Sequence, residues 1–189
     1  TLYLGTAGGG LAALANGAMR VYGTANGLPD ASVFALLEAD GRLFAGTGKG
    51  LSVLVGERFV NVKAEPPLPA EAVVSLLSTL ERGNRVIYAG TYGAGLFRLE
   101  WSGPERPARS TRVELPDGRV EALLLLNDPD RIVIATNAGA VILDPATNER
   151  FVLAPPELPN AIVRSLWATK GSLFLGTGIR LSELVNLNV

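Results

Sequence analysis

A short motif recurs five times along this chain at a nearly fixed spacing. The runs Tyr3-Leu4-Gly5-Thr6, Phe44-Ala45-Gly46-Thr47, Tyr88-Ala89-Gly90-Thr91, Val133-Ile134-Ala135-Thr136 and Phe174-Leu175-Gly176-Thr177 align, and their threonines lie 41, 44, 45 and 41 residues apart. A second marker keeps step at Leu28-Pro29, Leu68-Pro69, Leu115-Pro116 and Leu158-Pro159, with intervals of 40, 47 and 43. A unit of this size cannot bury its apolar faces alone, so it must stack on its neighbours.

Inside one unit the apolar residues alternate with period two in short runs broken by turn formers, which specifies strands. In the second unit the strands fall at Ser32–Ala39, Arg42–Thr47, Leu51–Val55 and Phe59–Lys63, with Asp40-Gly41 and Gly48-Lys49-Gly50 as turns. The same order follows in Val73–Leu80, Val86–Thr91, Leu96–Trp101 and Arg109–Leu115, then in Val120–Asn127, Ile132–Thr136, Ala140–Leu143 and Phe151–Leu153. Glu71–Leu80 and Glu121–Leu126 are rich in helix formers. They nevertheless fill the slots of Ser32–Ala39 and Ile162–Thr169, so strands are predicted there too.

Four antiparallel strands in a unit of about 40–45 residues are the signature of a β-propeller blade. The first unit begins at its second strand, Leu2–Thr6, and the last ends in its third, Leu181–Val185. The expected fold is therefore all-β: a single β-propeller domain, or an excerpt of one, with about five four-stranded antiparallel blades, the terminal two incomplete. The repeats run approximately 1–25, 26–65, 66–115, 116–156 and 157–189. Exposed blade flanks at the ends would invite pairing with another chain.

The recurrence of Gly-Thr has a physical reading. A glycine near a strand end lets a neighbouring backbone approach, and the threonine supplies a hydroxyl compatible with a strand. Gly10, Gly50, Gly95 and Gly139, just after the following turn, are predicted to hold positive φ. Arg180 stands where Gly50 stands, so the last turn should differ.

Composition then narrows function. Lys+Arg 17 against Asp+Glu 18 leaves a formal charge of −1 and no field to hold nucleic acid. The absence of His and Cys removes Ser-His-Asp triads, imidazole proton shuttles, thiolate nucleophiles and zinc–sulfur sites. The apolar residues, 48% of the chain, come in bursts too short for a membrane span. The opening residues lack the basic and apolar regions of a signal peptide.

No cofactor is expected. Gly8-Gly9-Gly10-Leu11-Ala12-Ala13 matches a dinucleotide fingerprint in form, but the helix it needs would run through Asn16-Gly17. Lys49 lacks the flanking residues of a phosphate loop. Among carboxylates, Asp117, Asp128 and Asp130 lie nearest one another, yet Asp117 and Asp128 bracket one strand and should face opposite ends of a blade. Arg98, Arg106, Arg109 and Arg112 are balanced by Glu100, Glu105 and Glu114, which suits a solvated face. Trp101 and Trp167 are expected in blade packing.

Asn26-Gly27-Leu28-Pro29-Asp30, Val33-Phe34-Ala35-Leu36-Leu37-Glu38, Asp40-Gly41-Arg42-Leu43-Phe44-Ala45-Gly46-Thr47 and Gly50-Leu51 together resemble the two-component regulator propeller repeat. That family reads roughly Gly-Leu-Pro, an apolar strand, Gly-x-Leu-Trp-Ile-Gly-Thr, then Gly-Leu. Phe44, Tyr88 and Phe174 hold its aromatic position, whereas Val133 and Ala135 depart from it. The resemblance spans essentially the whole chain. It implies the periplasmic or extracytoplasmic sensing region of a bacterial signalling protein, with a small-molecule or saccharide ligand and a role in dimerisation.

The loop leading into each first strand and the turn between the second and third strands should project from one face of a blade. That face would carry Asn26, Asp30, Lys49, Glu71, Tyr92, Asn137, Asn160 and Arg180, a set that suits hydrogen bonding to a neutral or weakly charged ligand and equally suits ordinary turns. The function expected is a non-catalytic sensing or protein-binding module. The alternatives are a lyase or glycosidase on a propeller scaffold and a purely structural interaction platform. A homo-oligomer through the terminal blades is the partner expected beyond a ligand.

Overall fold

The computed structural model describes residues 1–127, 130–178 and 181–185. Among them the chain forms five sheets. Sheet 1 holds β1 (Leu2–Gly5), β2 (Leu11–Ala15) and β3 (Ala18–Tyr22). Sheet 2 holds β4 (Val33–Ala39), β5 (Arg42–Thr47), β6 (Gly50–Val55) and β7 (Arg58–Asn61). A two-residue strand, β8 (Ala64–Glu65), precedes sheet 3, which holds β9 (Val73–Glu81), β10 (Asn84–Thr91), β11 (Leu96–Glu100) and β12 (Ala108–Val113). Sheet 4 holds β13 (Val120–Asn127), β14 (Asp130–Thr136), β15 (Gly139–Leu143) and β16 (Arg150–Leu153). Sheet 5 holds β17 (Val163–Thr169), β18 (Ser172–Thr177) and β19 (Leu181–Val185).

Within each unit consecutive strands pair antiparallel, so the two segments rich in helix formers are strands, as repeat register predicts. Hairpins at Asn16-Gly17, Asp40-Gly41 and Arg82-Gly83 have positive φ at both residues, the twist that joins antiparallel strands most tightly. β8 is an addition the sequence does not announce. It joins sheet 3 by running parallel to β12, and Ala108 N donates to Lys63 O at 2.9 Å. Two residues carry no alternation to read.

Successive residues of each strand face opposite neighbours, and that produces four apolar interfaces. Sheets 1 and 2 meet through Leu11, Tyr22, Val33, Leu43, Ala45 and Phe59. Sheets 2 and 3 meet through Phe44, Val53, Ile87, Ala89, Leu99 and Trp101. Val86, Tyr88, Leu96, Ile132, Ile134 and Val141 join sheets 3 and 4. Val133, Ala135, Ile142, Val163, Leu173 and Leu175 join sheets 4 and 5. The Leu-Pro marker now has a function: Leu28, Leu68, Leu115 and Leu158 each insert into one of these four interfaces.

The first strands β4, β9, β13 and β17 lie beside one another, and the sheets fan out from that shared edge in a propeller-like arrangement. The glycine of each motif permits the approach. A Cβ on Gly46 would stand 2.6 Å from Val73 O, one on Gly5 2.7 Å from Val33 O, and one on Gly90 2.6 Å from Val120 Cγ1. The threonine locks the next turn, as Thr6, Thr47, Thr91 and Thr136 Oγ1 donate to the carbonyls of Gly10, Gly50, Gly95 and Gly139 at 2.7 to 2.9 Å. Those four glycines have positive φ, as expected. Arg180 lies outside the described residues.

The tryptophans divide. Trp101 is buried edge-to-face against Phe44, with centroids 5.1 Å apart. Trp167, expected in packing, is exposed instead, because it lies on the face of sheet 5 turned away from sheet 4.

Candidate functional site

The shared inner edge carries the least expected feature of the backbone. Each first strand shifts register near its start: opposite Thr47 and Gly46 in β4, Thr91 and Gly90 in β9, Thr136 and Ala135 in β13, Thr177 and Gly176 in β17. The residues skipped by the pairing are Phe34, Val74, Glu121 and Arg164. A bulge bends its strand and re-aims a side chain, which is why bulges gather at sheet edges and functional sites. Here adjacent bulges meet, since Arg164 Nη1 lies 3.0 Å from Glu121 Oε1 across the junction of sheets 4 and 5.

Glu121 extends this contact in the other direction. Arg119 Nε approaches the same carboxylate oxygen at 2.6 Å, and its Nη1 donates to Tyr92 Oη at 2.8 Å. The Arg119 guanidinium also lies over the Tyr92 ring, 4.0 Å from its centroid. Tyr92, Arg119, Glu121 and Arg164 thus form one connected chain across sheets 3, 4 and 5. Two cations share one carboxylate, leaving one positive charge in excess. Tyr92 and Arg164 are the most exposed members, so the cluster offers an aromatic face and guanidinium donors to solvent. Phe34 extends the apolar character along the same inner edge and is half exposed.

The residues expected on the ligand face fall where turn geometry places them. In sheets 2, 3 and 5 the loop into the first strand adjoins the turn between the second and third: Gly48 N donates to Ser32 O at 3.0 Å, Tyr92 N to Ala72 O at 3.0 Å and Gly178 N to Ile162 O at 3.2 Å. Asn26 Oδ1 accepts from Gly23 N at 3.0 Å within a short 3-10 turn. Asp30 and Asn160 occupy equivalent positions and accept from Ser32 N at 2.8 Å and Ile162 N at 2.7 Å. The Ser32 amide, aided by Lys49 at 3.7 Å, holds the Asp30 carboxyl below its ordinary range. Glu71 lies beside Gly93, where an added Cβ would come within 2.8 Å of Glu71 Oε1. Asn137 Oδ1 is buried without a hydrogen-bond partner. Asp30 and Lys49 are brought together and Tyr92 joins the inner cluster, while the others remain separate turn positions. Arg180 belongs to the undescribed segment.

Arg119, Glu121 and Arg164 escape sequence reading. The available signal is positional: Phe34, Glu121 and Arg164 each stand four residues after Asp30, Asp117 and Asn160, where apolar alternation breaks. The carboxylate candidates do not converge. Asp117 accepts from Arg119 N at 2.8 Å ahead of β13, and Asp130 stands beyond the far end of that strand. Asp128 lies outside the described residues. Among the described residues no group of three or more His, Cys, Asp or Glu could hold a metal, and no helix is long and apolar enough to cross a membrane.

A second polar cluster lies in a cleft of about 610 Å³ between sheets 3 and 4. Tyr88 Oη donates to Glu81 at 2.7 Å, and Arg98 bridges Glu81 at 2.6 Å and Glu100 at 2.7 Å. Burial, reinforced by Glu81, pushes the Tyr88 hydroxyl well up from its ordinary value. One guanidinium serves two carboxylates, leaving one negative charge in excess, and all four side chains belong to sheet 3, so the set ties its strands together beside the cleft.

No protein-family model matches the chain, and no curated protein does. Solved structures do. The extracellular domain of the hybrid two-component system BT4673 from B. thetaiotaomicron superposes with a TM-score of 0.78 at 22% identity, covering 96% of this chain and 25% of that one. The extracellular domain of BT3049 from the same organism gives 0.71 at 21% identity, covering 89% and 25%. This chain has their fold. It spans about a quarter of the length of those domains. A more distant likeness, to an ancestral GH74 enzyme, has a TM-score of 0.64 at 15% identity and covers 96% of this chain and 29% of that one. The propeller-like architecture read from the repeated motif agrees with all three, and two belong to signalling systems.

Proposed function

We propose that the chain is part of a β-propeller, about five blades with incomplete terminal ones, and acts as a non-catalytic sensing and binding module of an extracytoplasmic bacterial signalling protein. The observation that carries this reading is the Tyr92–Arg119–Glu121–Arg164 cluster, which joins three sheets at the edge they share. An aromatic face beside guanidinium donors suits an oxygen-rich small molecule such as a saccharide, stacking on the ring and accepting from the arginines. A ligand touching Tyr92 and Arg164 together would bridge sheets 3 and 5, so occupancy would couple to how the sheets pack. Asp30, Lys49, Glu71, Asn137 and Asn160 extend the same face of the blades.

The glycosidase alternative needs a carboxylic acid whose pKa is raised to donate a proton. Glu121, the carboxylate in the cluster, is instead engaged by two arginines, Arg119 Nε at 2.6 Å and Arg164 Nη1 at 3.0 Å. The test is calorimetric titration of the chain with a panel of neutral and acidic oligosaccharides. Saturable binding is expected, weakened roughly tenfold or more by Tyr92→Ala or Arg119→Ala, the scale of an aromatic or arginine hot spot. Binding indifferent to both substitutions, or cleavage of any oligosaccharide, overturns the reading.

A further inference from the structure

Two neighbouring junctions in the middle of the chain differ at the end where the first and second strands turn. Between sheets 2 and 3 that end is closed by Arg85 and Trp101, which sit opposite each other, Trp101 N donating to Arg85 O at 2.9 Å. Trp101 covers Phe44, and the Arg85 guanidinium reaches across to Asp40 of sheet 2 at 2.6 Å. In sheet 4 the same two places fall to Asp130 and Pro145, because Ile87 and Leu99 correspond to Ile132 and Leu143. Arg82 takes the place of Asp40 in the hairpin of sheet 3. The indole is therefore absent and the charged pair is reversed, with the arginine on sheet 3 and the aspartate on sheet 4. Arg82 and Asp130 form no ion pair with each other or with any other side chain among the described residues. The cleft of about 610 Å³ opens between them, a size within the range of small-molecule sites.

Its walls carry both signs of charge. On sheet 3, Glu81 and Glu100 share the single guanidinium of Arg98, and the Tyr88 hydroxyl adds a donor to Glu81. On sheet 4, Arg150 pairs across strands with Leu143, on the face packed against sheet 3. Its Nη2 donates to Asn148 Oδ1 at 3.1 Å, and it has no carboxylate partner among the described residues. Arg112 borders the cleft as well, but its pairing with Phe97 puts it on the other face of β12. Glu81, Arg82, Arg98 and Glu100 sum to zero on one wall, as do Asp130 and Arg150 on the other. A simple cation or anion gains nothing from a neutral cleft, whereas a small molecule with one charge of each sign can join walls that the protein's own side chains leave unjoined.

We propose that this cleft binds a free α-amino acid, its ammonium group held by Glu81 and Glu100 and its carboxylate by Arg150, with its side chain over Leu143 and Pro145. The site lies at the far end of β10 from Tyr92, so it is separate from the inner-edge cluster and independent of the saccharide reading.

Calorimetric titration of the chain with each of the twenty common L-amino acids tests it. At least one should bind saturably. For that amino acid, the N-acetyl derivative, which lacks the ammonium charge, and the carboxamide, which lacks the carboxylate, should each bind at least tenfold more weakly, the scale of a lost hydrogen bond to a charged group. Glu100→Gln and Arg150→Gln should each weaken binding by a similar factor, and the first should spare the carboxamide less than the N-acetyl derivative. Pro145→Trp, which restores the residue that closes the preceding junction, should abolish binding. Far-UV circular dichroism verifies that the variants fold, and the two derivatives need only the unmodified chain. No binding by any amino acid at 10 mM, on the order of the weakest affinity a sensor could use, overturns the proposal. So does a derivative that binds as tightly as its parent, or binding unchanged by both Glu100→Gln and Arg150→Gln.

Discussion

Replacing Gly46 by alanine tests whether the motif glycine exists to let two sheets converge. Its φ is not positive, so a methyl group brings no backbone strain and the effect is purely one of space. The added Cβ would stand 2.6 Å from Val73 O, 2.9 Å from Val73 Cγ1 and 3.2 Å from Val73 Cβ, all on the neighbouring inner strand. Ordinary contact begins near 3.4 Å, so β9 must withdraw by most of an ångström. A carbonyl oxygen cannot rotate away as a side chain can. Overpacking of this kind costs about 1–3 kcal/mol. At roughly 2–4 °C per kcal/mol for a chain of this size, Tm should fall by about 2–12 °C. Gly23→Ala is the matched control, since Gly23 also has an extended backbone and nothing within 4 Å of its added Cβ. Urea unfolding followed by circular dichroism gives both values on one scale. Equal stability of the two variants would refute the claim that Gly46 holds β9 against β5.

Three other outcomes follow from the packing and the charges. Thr47→Val removes a buried hydroxyl that donates to Gly50 O at 2.9 Å and should cost about 1–2 kcal/mol in the same unfolding assay. Phe44→Ala, at the junction of sheets 2 and 3, should cost about 3–5 kcal/mol, while Phe174→Ala at the same position of sheet 5 should cost less than half as much; similar losses would contradict the role given to the following sheet. Asp40 and Glu57 are held below their ordinary pKa by Arg85 and Arg20, Glu100 by Arg98, and Asp144 by the amides of Thr147 and Ala146. A lowered carboxyl stabilises the fold above its unfolded pKa and ceases to do so as pH falls through the folded value, so Tm should drop below about pH 4. With no histidine in the chain it should stay flat from roughly pH 5 to 8, and a step near pH 6.5 in a melting series would be the contrary result.

Much of the architecture is written in local order. The Gly-Thr and Leu-Pro markers fix the unit length, period-two alternation fixes strands, and Asp40-Gly41 fixes a hairpin, because each depends on neighbours within a few residues. Glu71–Leu80 shows the strength of register: helix propensity there amounts to tenths of a kcal/mol per residue, whereas burial of Val73 between sheets is worth more. The turn roles of Asn26, Asp30 and Asn160 are also local, since each side chain reaches an amide two or three residues away.

The inner cluster is a different kind of fact. Arg119 and Arg164 meet on Glu121 only because bulges in successive first strands turn side chains toward a common edge, and Tyr92 arrives from a third sheet. The fate of Trp167 was decided at the same level. Its alternation marks it as a packing residue, but whether a packing face is covered depends on what stands beside it in space. Sequence determines which face of a strand is apolar, and only the stacking of sheets determines which apolar face finds a neighbour.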